Sequence, residues 1–407
     1  MSVPIAPTSS PPPTPLATAL YVHVPFCVSK CAYCDFASAV GDERWHTPYV
    51  DAVLYAADHW SSYDVLDDVA SLYIGGGTPT LLGAELVRLI TGLRELAGLR
   101  VGAEVTVETN PETTDQRGIA ALAAAGVNRF SLGVQSFDDA VLGTLGRRHS
   151  VACAVAAADV LERSGQRFSV DLICGVPGQS TASWRESVER AIATRAAHVS
   201  VYPLSIEEGT PLARAIDEGR MSEPDPDAAA EMMELASALL GTAGLDRYEV
   251  ANYARPGEES RHNSSYWTGL AYLGLGPSAA SMLPPISFAP IAASEGWEAV
   301  PEGAARCRFA TTSDTAEWLR NPLRAPAETE YLTARETARE DVMLGMRRSV
   351  GVPAEEVAAA GLGAVLESLA VSGLVELARG ETGERWRPTA RGWLLGNEVF
   401  GRIWSGE

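Results

Sequence analysis

The feature that most constrains this chain is a repeated alternation of short β-rich runs with longer Ala/Leu-rich stretches, starting at residue 19. Strands are predicted at Leu20–Val24, Ser71–Ile74, Glu104–Glu108, Arg129–Val134, Phe168–Ile173 and His198–Tyr202. Helical patterns follow them at Thr47–His59, Ala84–Leu96, Gln116–Ala125, Val151–Ser164, Ala182–Thr194 and Asp227–Ala243. Six successive βα units imply a parallel sheet, because each strand returns to the same end through a crossover helix. The sheet is either open and doubly wound or a barrel; periodicity does not choose. A further run, Tyr248–Tyr253, could extend or close it.

The pattern changes after about residue 250. Residues 254–330 are rich in Gly, Pro and aromatics and read as an irregular linker region. Residues 331–407 read as a small helical domain, with a hairpin at Leu374–Arg379 and Arg385–Pro388, and resemble a winged helix. Residues 1–18 are expected to be a disordered Pro-rich tail, leaving 19–253 as the α/β body. With 52 Asp plus Glu against 32 Lys plus Arg, the formal charge is −20. That balance argues against nucleic acid as a partner, which requires basic side chains to neutralise phosphates. A DNA-binding regulator would show salt-sensitive binding by residues 330–407. Neither a membrane-spanning run nor a secretory leader is legible, so the expected location is cytoplasmic.

Six cysteines are present, and three crowd into Cys27-Val-Ser-Lys-Cys31-Ala-Tyr-Cys34, directly after the first strand. That spacing suits a metal site in a reducing compartment better than a disulfide framework. Three thiolates on a four-iron cluster leave one iron open to a further ligand. Zinc, completed by His23, is the alternative, although structural zinc sites usually draw ligands from two separate pairs. Asp35 after Cys34 excludes covalent c-type haem attachment. Cys153, Cys174 and Cys307 read as small buried hydrophobes. Gly75–Gly77, Glu108, Gln135, Arg147 and Asp171 all fall at or just beyond predicted strand ends, where α/β folds place ligands. The glycines are expected to bring the backbone close to a ligand and offer it N–H groups.

With C-x3-C-x2-C in this position, the chain resembles the radical S-adenosylmethionine (SAM) superfamily. Tyr21-Val-His-Val-Pro-Phe-Cys27, Gly75-Gly-Gly-Thr-Pro79, Glu108-Thr-Asn-Pro111, Gly133-Val-Gln-Ser-Phe137, Leu145-Gly-Arg-Arg-His149, Asp171-Leu-Ile-Cys-Gly-Val-Pro177 and Tyr202-Pro-Leu-Ser-Ile-Glu-Glu-Gly-Thr-Pro211 match one branch. That branch holds oxygen-independent coproporphyrinogen III oxidases and HemW-type haem chaperones. The resemblance implies a partial (β/α)6 barrel with a small C-terminal helical, winged-helix-like domain. It implies that Cys27, Cys31 and Cys34 bind a [4Fe-4S] cluster whose fourth iron chelates SAM. Tyr21, Gly76, Gly77, Thr78 and Glu108 match positions for a first SAM. Tyr33, Gln135, Arg147 and Asp171 match positions for a second SAM in the oxidases. There the cluster reduces SAM to a 5′-deoxyadenosyl radical, which starts decarboxylation of a propionate to a vinyl group.

Two features point to the chaperones. The oxidases resemble C-x3-C-x2-C-x-C, and the fourth cysteine's place is taken here by Phe36. His262-Asn263-Ser-Ser-Tyr266-Trp267 matches their HNxxYW motif, which implies haem binding by His262, Asn263, Tyr266 and Trp267. The residues before the first strand are also too few for the oxidases' ordered leader. Ala280 departs from the pattern, standing where many relatives have His, so no haem role carries over to it. The implied partners are haem and apo-haemoproteins, including respiratory enzymes at the inner membrane face; a homodimer is admitted but not required. The alternative is an oxygen-independent coproporphyrinogen III oxidase, so whether the chain is an enzyme stays open.

Overall fold

The computed structural model describes residues 17–380 and 383–406. Most of the expected tail over 1–18 lies outside the described residues, while Ala17 and Thr18 open the first strand. Strands β1 (Ala17–Val24), β2 (Asp68–Gly76), β3 (Leu99–Thr109), β4 (Arg129–Gln135), β5 (Arg167–Cys174) and β6 (His198–Pro203) pair in that order, all parallel. Helices α1 (His46–Ser61), α2 (Ala84–Leu96), α3 (Gln116–Ala124), α4 (Val151–Ser164), α5 (Thr181–Ala193) and α6 (Pro226–Thr242) follow the respective strands. Local chemistry sets several of their starts. Asp115 accepts from the amides of Arg117 and Gly118, Ser150 from Cys153 and Asp225 from Asp227, satisfying donors that a helix end leaves free.

Alternation along the strands divides the body into two environments. Val105 and Val107, Phe130, Leu132 and Val134, Phe168, Val170 and Leu172, and Val199 and Val201 belong to the apolar core. The residues between them, such as Thr106, Ser131, Ser169 and Ser200, line a cavity on the other face. Each fully buried aliphatic side chain is worth about 1.5–3 kcal/mol, so the core face secures the fold and leaves the cavity face to polar residues.

Residues 254–330 are not an irregular linker. Strand β7 (Asp246–Arg247) pairs with β8 (Asn252–Ala254), and β8 runs antiparallel to β6. The short helix α7 (Arg261–Tyr266) follows, then β9 (Ala271–Leu275), parallel to β1. Strands β10 (Ala280–Leu283), β11 (Ala304–Ala310) and β12 (Glu328–Thr333) continue the sheet antiparallel. The order is β12-β11-β10-β9-β1-β2-β3-β4-β5-β6-β8-β7, with two edges among the described residues. The fold is therefore a partial (β/α)6 barrel with extended flanks.

The C-terminal residues open with α8 (Ala334–Gly345), whose Thr333 and Glu336 form a reciprocal capping box. Short helices and a three-stranded sheet of β13 (Val352–Pro353), β14 (Val375–Gly380) and β15 (Gly383–Pro388) enclose a second core around Met346, Leu366, Leu369, Val399 and Ile403. This unit is fastened to the sheet by charge. Arg306 and Arg308 on β11 each place a guanidinium nitrogen 2.5 Å from Glu340 on α8, and Arg306 also pairs with Asp341 at 2.7 Å. Glu340 is only 2% exposed. Among the described residues no helix is long and apolar enough to cross a membrane.

Candidate functional site

The loop from Phe26 to Val40 carries Cys27, Cys31 and Cys34, all partly exposed at the mouth of a 390 Å³ cavity. Backbone hydrogen bonds hold the loop from two sides: Ala32 N–H donates to Leu145 O at 2.9 Å, and Leu212 N–H to Ala32 O at 2.8 Å. Gly146 has φ +70°, and a Cβ there would come within 2.9 Å of the Ala32 nitrogen, so this approach requires glycine. Tyr33 packs against the small apolar cluster of Val141, Leu145, Ile173 and Val176.

A polar chain links the outer two elements of the site. Thr78 Oγ1 lies 4.0 Å from Cys27 Sγ and accepts from Asn110 Nδ2 at 2.8 Å. Asn110 Oδ1 accepts from Arg147 Nη2 at 2.6 Å, and Arg147 Nη1 reaches Cys31 Sγ at 3.5 Å. Among the described residues no three His, Cys, Asp or Glu converge tightly enough to hold one metal ion. A zinc site would require that convergence, whereas a four-iron cluster takes each thiolate on a separate iron. The donor set of three thiols with an adjacent cation fits the cluster.

The glycine run does not act as expected. Gly76 N–H donates to Glu108 Oε2 at 3.0 Å, Gly77 N–H to Val24 O at 2.7 Å and Thr78 N–H to Phe26 O at 2.7 Å. These amides are spent inside the protein rather than offered to a ligand. The glycines are required by crowding instead: a Cβ on Gly77 would meet Phe26 O at 2.5 Å, and one on Gly75 would meet Glu108 at 2.7 Å. Glu108 also accepts from the Tyr73 hydroxyl at 2.8 Å, and burial pushes its carboxyl up to about 7. Asp171 accepts from Ser131 at 2.9 Å and Ser200 at 2.6 Å, and burial raises its pKa as well. Gln135 sits at φ +66°, where β4 and β5 slip register, in a left-handed conformation that non-glycine residues hold only at a cost.

Of the residues expected to bind cofactor, Cys27, Cys31, Cys34, Tyr33, Gly76, Gly77, Thr78, Glu108, Gln135, Arg147 and Asp171 line this one cavity. Tyr21 does not; its hydroxyl pairs with His23 Nδ1 at 2.9 Å behind the wall. Of the haem motif, Asn263 alone lines the cavity. His262 is 1% exposed, with Nδ1 against Ser71 Oγ and Nε2 against the Tyr266 hydroxyl, both at 2.9 Å. Its ring stacks on Tyr73 at 5.0 Å, so it backs the residue that holds Glu108. Trp267 Nε1 donates to Glu249 at 2.8 Å, and Arg347 of the C-terminal unit lies over the indole at 5.1 Å. In this conformation His262 has no free nitrogen for iron. Tyr73 and Asn110 were not singled out from the sequence, although Asn110 sits within the Glu108–Pro111 motif.

Burial lowers the His262 pKa to about 3, so the ring is neutral in the folded chain. Its folded value lies below the unfolded value of about 6.5, so the stabilisation is present above that pH and is lost as pH falls toward 3. At pH 5 the loss is about 2 kcal/mol from this residue alone. The urea midpoint should fall between pH 7 and pH 5 in the parent chain, and should fall less in His262→Gln. An equal fall in both would show that His262 does not carry the effect.

A model of the Radical SAM superfamily matches residues 21–191. A protein of Mycobacterium tuberculosis (strain ATCC 25618 / H37Rv) named "Heme chaperone HemW" is 36% identical over 389 residues, 93% of each chain. The chain belongs to the HemW family of radical SAM proteins. A protein of Escherichia coli (strain K12) with the same name is 39% identical over 260 residues, 63% of this chain and 68% of its own. A solved structure described as coproporphyrinogen III oxidase (HemN) from Escherichia coli superposes with a TM-score of 0.76. It covers 96% of this chain and 91% of its own at 22% identity, a likeness of fold. Membership of the superfamily implies a [4Fe-4S] cluster and SAM as cofactors.

Proposed function

We propose that this protein is a cytoplasmic haem chaperone: it binds haem and delivers it to apo-haemoproteins, with a [4Fe-4S] cluster and SAM in its cavity. The observation that carries the reading is similarity along nearly the whole chain to a protein named for that role, with Phe36 where the oxidases carry a fourth cysteine. When bound, the reduced cluster supplies single-electron chemistry to SAM. The chain's own residues do the rest. Cys27, Cys31 and Cys34 hold the cluster, Arg147 offsets its negative charge, and Glu108, Gln135 and Asp171 offer acceptors to SAM.

The cavity mouth supports a flat apolar ligand. Phe36, Tyr202 and Val28 line it and are 56%, 41% and 38% exposed, which leaves apolar surface there for a ligand to cover. A haem face laid there would cover them. The HNxxYW motif would then act from beneath, through His262 and Tyr73.

An anaerobic haem titration of the cluster-reconstituted chain, followed in the Soret band, tests this. We expect saturation at one haem per chain, weakened about tenfold or more by Phe36→Asp and little changed by His262→Gln. Loss of the band in His262→Gln alone would make His262 the haem ligand and displace the site from the mouth. Unsaturable binding, with vinyl product formed from coproporphyrinogen III, would replace the chaperone by the oxidase.

A further inference from the structure

The cavity continues below the residues already described, to a floor built where β3, β4 and β5 begin to face inward. Register aligns Thr106 with Arg129 and Arg129 with Arg167, so one row crosses the three strands; His198 lies one strand on, opposite Ser169. The charges on this floor are unevenly satisfied. Each carboxylate has partners. Asp171 accepts from two serines, and Glu258 pairs with Arg167 at 2.5 Å. Glu104 accepts from Ser260 Oγ and from the amides of Arg261 and His262, at 3.0–3.2 Å.

The donors are not satisfied. Arg129 is 2% exposed and lines the cavity, yet its guanidinium makes one hydrogen bond, to Glu258 O at 3.2 Å, and no ion pair with any described residue. Thr106 Oγ1 and His198 Nδ1 are buried without a partner. Ser260 N–H donates to the Tyr248 oxygen, and the network is satisfied when the Tyr248 hydroxyl donates to His198 Nε2. That assignment leaves the proton on Nδ1. Burial, with Arg129 and Arg167 nearby, lowers the His198 pKa, which keeps the ring neutral and a donor. A buried guanidinium with unused N–H groups is costly unless an acceptor completes it.

We infer that Arg129, with Thr106 and His198 beside it, forms a subsite for a carboxylate arm of the ligand that fills this cavity. The inference rests on the reading of the cavity as a SAM and haem site. Both molecules carry carboxylates: the aminoacyl carboxylate of a second SAM, the first SAM's being taken by the cluster iron, or a propionate of the tetrapyrrole. A single carboxylate suits the floor better than a phosphate, since Asp171 already contributes negative charge there.

The test compares Arg129→Gln with the parent, both cluster-reconstituted and anaerobic, across four ligands: SAM, decarboxylated SAM, haem and haem dimethyl ester. A charge-assisted hydrogen bond is worth about 10- to 100-fold in affinity. If a SAM carboxylate sits on Arg129, the variant weakens SAM by that factor and leaves decarboxylated SAM unchanged. If a propionate does, haem weakens and its dimethyl ester does not. Thr106→Val, which removes only the unpartnered hydroxyl, should weaken the same ligand by a smaller factor without loss of fold. Unchanged affinity for every ligand, or equal loss with and without the carboxylate, overturns the subsite. Failure of the parent to bind haem at all would instead count against the chaperone reading and leave the SAM arm decisive.

Discussion

Serine in place of Cys31 should abolish the iron–sulfur chromophore, with bound iron falling to background rather than by a fraction. The side chain nearest to Cys31 offers no substitute. The side chain that reaches Cys31 Sγ is Arg147, at 3.5 Å, a donor and a cation that cannot ligate iron. Two cysteines outside the loop are buried, and burial pushes Cys174 up to about 12 and Cys307 up to about 11, which favours the thiol in both. Cys153 sits on α4, outside the residues that line the cavity. The measurement is iron content and visible absorbance after anaerobic reconstitution, with Cys153→Ser as the control that keeps its cluster. A Cys31→Ser chain that retained full iron would remove Cys31 from the ligand set.

The second large effect is on stability. Glu340→Ala removes the one carboxylate shared by Arg306 and Arg308 and leaves a guanidinium in a place only 8% exposed. Breaking a buried pair from one side costs about 3–5 kcal/mol when the remaining charge is uncompensated; here Arg306 keeps Asp341 and Arg308 keeps Glu330, so the loss falls below that range. The urea midpoint should drop accordingly, and limited proteolysis should release residues 331–407 from the sheet. The double variant Arg306→Met/Glu340→Leu should recover part of the loss, since it replaces one buried pair by apolar groups while Arg308 keeps Glu330. A double variant as unstable as Glu340→Ala would mean that α8 is held by packing and not by this pair.

The contrast between those two sites explains what could be read from the sequence. The six parallel strands were legible because each has an apolar face two residues in period and a crossover helix after it, four of which (α3 to α6) begin at a side-chain cap. The cysteine loop was legible because its three ligands are neighbours in sequence. Residues 271–333 were not legible as strands. Ala304–Ala310 carries Arg306 and Arg308 on one face, a pattern that reads as exposed, and the carboxylate that buries them stands 32 to 34 residues away. The surroundings of His262 were not legible for the same reason. Its hydrogen-bond partner Ser71 lies 191 residues earlier, and local sequence cannot show that both ring nitrogens are taken. Arg129 did leave a trace: Arg129-Phe-Ser-Leu-Gly-Val-Gln135 alternates polar and apolar residues in a strand flanked by helices, which places polar side chains inside the barrel.

That alternation has a consequence for how such a protein can change over generations. Mutations at Phe130, Leu132 or Val170 are read as stability, because those residues meet the helices. Mutations at Thr106, Ser131 or Ser169 face the cavity and alter what it accepts while leaving the helix contacts intact. The two faces of each strand are thus separately editable, so a lineage can trade one bound molecule for another inside a scaffold whose folding it need not renegotiate.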